Sequence, residues 1–186
     1  GYMLVLAALQ PIPQDITLHL DKQDSVFIHG DSTFGTGFDT QRFCDNRSYS
    51  DWQMLLWQAG SVAEQYLIGR EVLDAADDYL RWLHCASTYI VKQCWDDLKI
   101  VKQQQNLQIR FFLRGDPALR EMNMLKQQQR ALLTTFFDLN DAVLRDLSAA
   151  AQKKRTLRRD DLLPFFARVR FPEGFPRPDL AALAED

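Results

Sequence analysis

Asp74, Asp77 and Asp78 crowd into five residues of the chain, and carboxylates so spaced can ligate a divalent metal. The same residues near the start of a helix also answer the positive end of its dipole, and Asp77 has Arg81 four positions on as an ion-pair partner. From residue types alone the helix-start reading is the simpler one. A metal site would need imidazole or further carboxylate, and the histidines are three: His19, His29 and His84. None stands four residues from another, so the chain carries no H-x-x-x-H pair. His84 shares a helical face with Asp77, but seven residues at a rise of 1.5 Å put them about 10 Å apart, too far to grip one ion. His19 and His29 read as ordinary strand residues. Cys85 and Cys94 would point to opposite faces of a helix, which suits packing better than a shared metal. No phosphate-binding loop, nucleophile elbow or dinucleotide fingerprint occurs, and Phe34-Gly35-Thr36-Gly37 lacks the strand–turn–helix setting such motifs need. Lys153–Arg159, KKRTLRR, holds five basic residues in seven and could touch phosphate, but Asp160 and Asp161 follow at once, and a helix C-terminus attracts cations anyway.

The elements that would position these residues are mostly helical. Residues 2–9, YMLVLAAL, are apolar nearly all round, as in a buried helix, and Pro11 and Pro13 end it. The run is not a signal peptide by pattern: no basic segment precedes it and no A-x-A site follows. Because the chain opens within an apolar segment, the expectation is that a piece is missing upstream. Ile16, Leu18 and Leu20 alternate with polar residues, which predicts a half-buried strand; Ser25–His29 is a second β-rich run, and the polar Asp21–Asp24 between them makes a hairpin. Gly30–Tyr49 reads as a loop. Ser50-Asp51-Trp52-Gln53 reads as a capping box opening a helix whose apolar positions run from Trp52 to Leu67, with Gly69 as its C-terminal stop. A second helix is expected from about Asp74 to Val101. A third opens at Asp116-Pro117 and runs to about Phe137; a fourth carries Val143, Leu144 and Leu147 after a break near Asn140. Asp160–Val169 is a last short helix, and Pro172, Pro176 and Pro178 make the end irregular. KQQQ occurs twice, at 102–105 and 126–129, and reads as two polar helix faces.

The 186 residues suit one domain, here bounded at 1–170 with an irregular tail at 171–186. Hydrophobic residues make up 46% and aromatics 11%, enough for a core and too many for intrinsic disorder. Lys and Arg total 22 against 25 Asp and Glu, so the net charge of −3 argues against a bulk electrostatic binder of nucleic acid. Three cysteines, Cys44, Cys85 and Cys94, exclude a disulfide scaffold and fit a reducing, cytoplasmic setting. The longest apolar run, Met3–Leu9, falls far short of the roughly 20 residues of a membrane span.

Trp57–Gly69, WQAGSVAEQYLIG, resembles the G-G-R-x-A-E-E-x-x-x-G segment of FtsH-type ATP-dependent zinc metallopeptidases, with Gly60, Ala63, Glu64 and Gly69 at matching positions. Tyr49-Ser50-Asp51 is similar to the capped start of that helix. Glu71, Val72, Ala76 and Asp78 follow the next motif with one residue fewer, and Gln128–Leu157 is similar to the family's spaced leucine pattern and its T-L ending. The resemblance spans most of the chain in the right order. It implies a mainly α, helical peptidase-domain bundle with a small N-terminal β-hairpin. It also implies a zinc ion held by both histidines of H-E-x-G-H and a later aspartate, with the motif's glutamate as general base. Asp78 is that aspartate by resemblance, with Asp77 as alternate. Gly1 then falls on the motif glycine and Tyr2 on its second histidine, while the first histidine and the glutamate would lie upstream. A phenol is mostly neutral at pH 7 and a poor ligand. The expectation is a peptidase-like chain with an incomplete zinc site, inactive as it stands. Complete, the site would hydrolyse unfolded protein chains; the alternative is a non-catalytic interaction or assembly module, with protein partners or further copies of itself.

Overall fold

A computed structural model describes residues 1–20, 30–35, 47–69, 76–97 and 117–180. Among them are six helices and three strands: α1 (Tyr2–Leu6), β1 (Asp15–Leu20), β2 (Gly30–Gly35), α2 (Arg47–Ile68), α3 (Ala76–Asp97), α4 (Pro117–Leu139), α5 (Asp141–Lys154), β3 (Thr156–Arg158) and α6 (Arg159–Phe166). The chain is mainly helical with a small antiparallel hairpin near its N-terminus, as the sequence predicts.

The hairpin differs in detail from the expectation. Its second strand is β2, inside the stretch read as a loop: Ile16 pairs with Phe34 and Leu20 with Gly30. The polar run Asp31-Ser32-Thr33 has no apolar alternation, so pairing with β1 rather than its own pattern makes it a strand. The expected strand at Ser25–His29 and turn at Asp21–Asp24 lie outside the described residues. A third strand, β3, pairs antiparallel with the other edge of β1, so the sheet order is β2-β1-β3. It is cut from the basic run: Leu157 turns into the core between half-buried Thr156 and exposed Arg158. The reversal from α5 into β3 is made at Arg155, whose φ of 64° ends the helix in left-handed backbone. Asp161 closes the next helix start, its Oδ2 accepting from Arg158 N at 3.1 Å while Oδ1 takes Lys154 Nζ at 2.6 Å.

The helix α2 begins at Arg47, so Ser50 is buried within its first turn rather than capping it. Its end is as expected: Gly69 has φ of 74° and donates its N–H to Gln65 O at 2.8 Å. The helix α3 covers the middle of the expected 74–101 span, whose two ends lie outside the described residues. The main core gathers Leu4, Leu6, Trp52, Leu133, Phe136 and Phe137 around buried α1, and Trp52 Nε1–H donates to Val5 O at 3.1 Å. A smaller cluster of Met54, Trp82, Ala86, Ile90 and Met122 joins α2, α3 and α4.

Residues 171–180 are irregular, yet their apolar side chains belong to the main core. Phe175 stacks on Phe136 at 4.8 Å between centroids, and Leu180 N–H donates to Gln10 O at 2.7 Å. Asn140 joins this segment to the helix break. Its Nδ2 donates to Phe136 O and to Arg170 O, both at 2.7 Å, and its Oδ1 accepts from Arg170 N at 2.8 Å. The side chain is 1% exposed, so water cannot replace it. Asn140→Ala should therefore cost about 2–3 kcal/mol, read as a lower urea midpoint at unchanged slope.

Candidate functional site

The residues that the sequence singles out converge in part. Gly1 caps α1, its carbonyl accepting from Leu4 N at 3.0 Å and Val5 N at 3.4 Å. It lies so close to α2 that a Cβ there would overlap Ala59 O and Ala63 Cβ, so only glycine fits. Tyr2, the next residue, is half-buried and tilts against the Trp57 indole with ring centroids 6.0 Å apart. The Arg81 guanidinium lies over the same indole at 4.8 Å. Asp78, half-buried in the first turn of α3, precedes Arg81 by three residues and so shares its face.

This clustering appears in the electrostatics of Tyr2. Burial pushes its phenol above the ordinary tyrosine range; the Asp78 carboxylate adds to the rise, Arg81 opposes it, and Tyr49 adds a little. The phenol therefore keeps its proton. Loss of hydration pushes the Gly1 amine from 8.0 down to about 5. Beside these groups lies a cavity of about 330 Å³, walled by Tyr2, Met3, Leu18, Leu20, Leu144 and Leu147.

Other candidates stand elsewhere. Asp77 is exposed, and Arg81, expected to pair with it, rests on Trp57 instead. His84 is exposed on α3, and His19 Nδ1 meets Thr156 Oγ1 at 2.7 Å across β1 and β3. Cys85 donates to Gln53 Oε1 at 3.0 Å. Asp74, His29, Cys44, Glu71 and Val72 lie outside the described residues, as does the side chain of Cys94. Spacing marked Arg81 only as a partner for Asp77 and did not mark Trp57; a tryptophan on the half-buried flank of α2 was the available signal.

Zinc needs about three protein ligands with an open position to activate water. Among the described residues no three His, Cys, Asp or Glu side chains stand close enough to share an ion. A protonated phenol beside one carboxylate does not fit a catalytic zinc centre. Neither a scan against protein-family models nor a search of curated proteins returns a match for this chain. No helix among the described residues is long and apolar enough to cross a membrane.

Proposed function

We propose that this chain is a peptidase-like domain whose zinc centre is incomplete, and that it works as a non-catalytic interaction or assembly module. The observation that carries the reading is the neighbourhood of Tyr2 and Asp78. Of the two positions that the resemblance pairs as metal ligands, Tyr2 lies against Trp57 within the electrostatic reach of Asp78, but it is a phenol that keeps its proton. The glycine-only contact of Gly1 with α2 supports the same alignment, since the motif glycine falls there. Carboxylate chemistry from Asp78 alone offers no activated water.

Exposed apolar side chains favour the module reading. Leu80 on α3 and Met124 on α4 are 52% and 58% exposed, the kind of surface that protein partners or a second copy would cover. A cytoplasmic setting belongs to the proposal and rests on the few cysteines.

One preparation tests both halves. Purified chain supplied with zinc should release no fluorescence from labelled casein above the zinc-free background, and light scattering should show mass rising with concentration. Zinc-dependent hydrolysis abolished by Asp78→Ala would overturn the incomplete-site reading, and a constant monomer mass would remove self-assembly.

A further inference from the structure

We propose that the cavity walled by the head of α1, β1 and α5 binds one uncharged, straight-chain aliphatic alcohol of about ten carbon atoms, its chain inside and its hydroxyl donating to Ser148. The site does not depend on the module reading above. Its volume sets the size of the ligand. A cavity of about 150 Å³ lined by apolar side chains takes up benzene, so the 330 Å³ here hold roughly a dozen carbon and oxygen atoms. The wall is aliphatic almost throughout: Met3 from α1, Leu18 and Leu20 from β1, and Leu144, Leu147 and Ala151 from α5. Leu18 and Leu20 are only half-buried, so apolar surface stays reachable from outside, and a run of methylenes would cover it.

The polar groups select the chemistry of the other end. No Lys, Arg, His, Asp or Glu side chain is among the described lining residues, so a carboxylate or ammonium would enter without a counter-ion and lose its hydration unrewarded. The Gly1 amine, where it is free, is neutral at pH 7 through lost hydration and supplies no charge. Ser148 and Gln152 follow Leu144 at successive steps of four along α5, so the polar groups form one row of that helix, and exposed Gln152 puts the end of the row at the mouth. The Ser148 hydroxyl already donates to Leu144 O at 2.8 Å, so towards a ligand its oxygen can only accept. A ligand that meets it must bring a donor, which an alcohol has and an ether lacks. The α2 wall is Gly60. Glycine is a poor helix former, and a Cβ there would meet nothing within 4 Å, so packing does not demand it; its missing side chain leaves the cavity open.

Isothermal titration of the whole chain with 1-decanol is the test. One molecule should bind per chain, with a dissociation constant on the order of 10 μM. Decanoate, equal in length but charged at pH 7, should bind at least roughly tenfold more weakly. Gly60→Leu puts a side chain where the cavity now is. It should weaken 1-decanol about tenfold or more without lowering the urea midpoint, since leucine is the better helix former. Ser148→Ala should weaken 1-decanol about fivefold and leave 1-methoxynonane, a chain of the same size without a donor, unaffected. This second arm stands whether or not leucine is accepted at position 60. Absence of saturable 1-decanol binding overturns the proposal. So does affinity undiminished in a folded Gly60→Leu, which would place the alcohol elsewhere. Decanoate binding as tightly as 1-decanol would make the site one for an anion, and equal losses for the alcohol and the ether in Ser148→Ala would remove the hydroxyl contact; either result sinks the alcohol as ligand.

Discussion

Gln129→Leu is expected to lower the unfolding free energy by about 4 kcal/mol, because it orphans two buried donors at once. Gln129 Oε1 accepts from Gln58 Nε2 at 2.6 Å and from Trp82 Nε1 at 2.8 Å, and its Nε2 donates weakly to Met54 Sδ at 3.6 Å. One amide thus links α2, α3 and α4. The tryptophan fixes which end of the amide is oxygen, since an indole N–H only donates. Gln58 is 1% exposed, and its Oε1 has no hydrogen-bond partner among the described residues. A leucine at 129 would leave Gln58 wholly unpaired and Trp82 Nε1 without an acceptor, at about 1–3 kcal/mol for each stranded group. The comparison that isolates this cause is Gln58→Leu/Gln129→Leu. It removes the Gln58 donor and its orphan acceptor together, leaving only the indole N–H stranded, so the double variant should recover about half of the loss. Urea unfolding followed by tryptophan fluorescence reads both values. If the double variant is less stable than Gln129→Leu, packing rather than hydrogen bonding holds the three helices.

That glutamine also marks where sequence reading stops. The second KQQQ run was read as a polar face, yet its last residue is buried and Lys126 lies over the Tyr79 and Trp82 rings, at 4.7 Å and 5.5 Å. Residue type cannot tell a solvated glutamine from one whose amide is satisfied by two other helices. Elements with local signatures were legible: Pro117 at a helix start, Gly69 at a stop and Asn140 at a break all express backbone preferences of the residue itself. The strands β2 and β3 were not, because each owes its conformation to β1, and neither GDSTFG nor TLR alternates enough to announce a buried face. Phe175 and Leu180 were missed for the same reason: in a proline-rich stretch, no period links their burial to the neighbours'. The neighbourhood of Tyr2 and Asp78 had no signature in spacing at all. The Trp57 platform that Tyr2 and Arg81 share is long-range geometry that no local pattern encodes.

The chain with a free amine on Gly1 should lose about 4 kcal/mol of stability as pH falls from 8 to 5, a larger effect than most single substitutions. The sign follows from where the proton binds. In the unfolded chain the amine titrates near its ordinary 8.0, whereas burial holds it near 5 in the fold. Between those values the unfolded state carries a proton that the folded state does not, so acid favours unfolding. Stability from this group is fully present above pH 8, declines by about 1.4 kcal/mol per pH unit through the window, and levels off below pH 5. The cause is desolvation alone, and Gly1 cannot move outward cheaply because its carbonyl starts α1 and its Cα sits against Ala59 and Ala63. Asp141 and Asp161 are held below the usual carboxylate range by Arg145 and Lys154, whereas burial raises Asp51, so the acetylated chain is the reference that isolates the amine. Urea midpoints at pH 8, 7, 6 and 5 give the slope. Acetylating the Gly1 amine removes the titrating group, so the acetylated chain should show a nearly flat profile over the same range. A profile equally steep with and without acetylation would place the acid sensitivity elsewhere and show that the head of α1 opens to water before the rest of the fold.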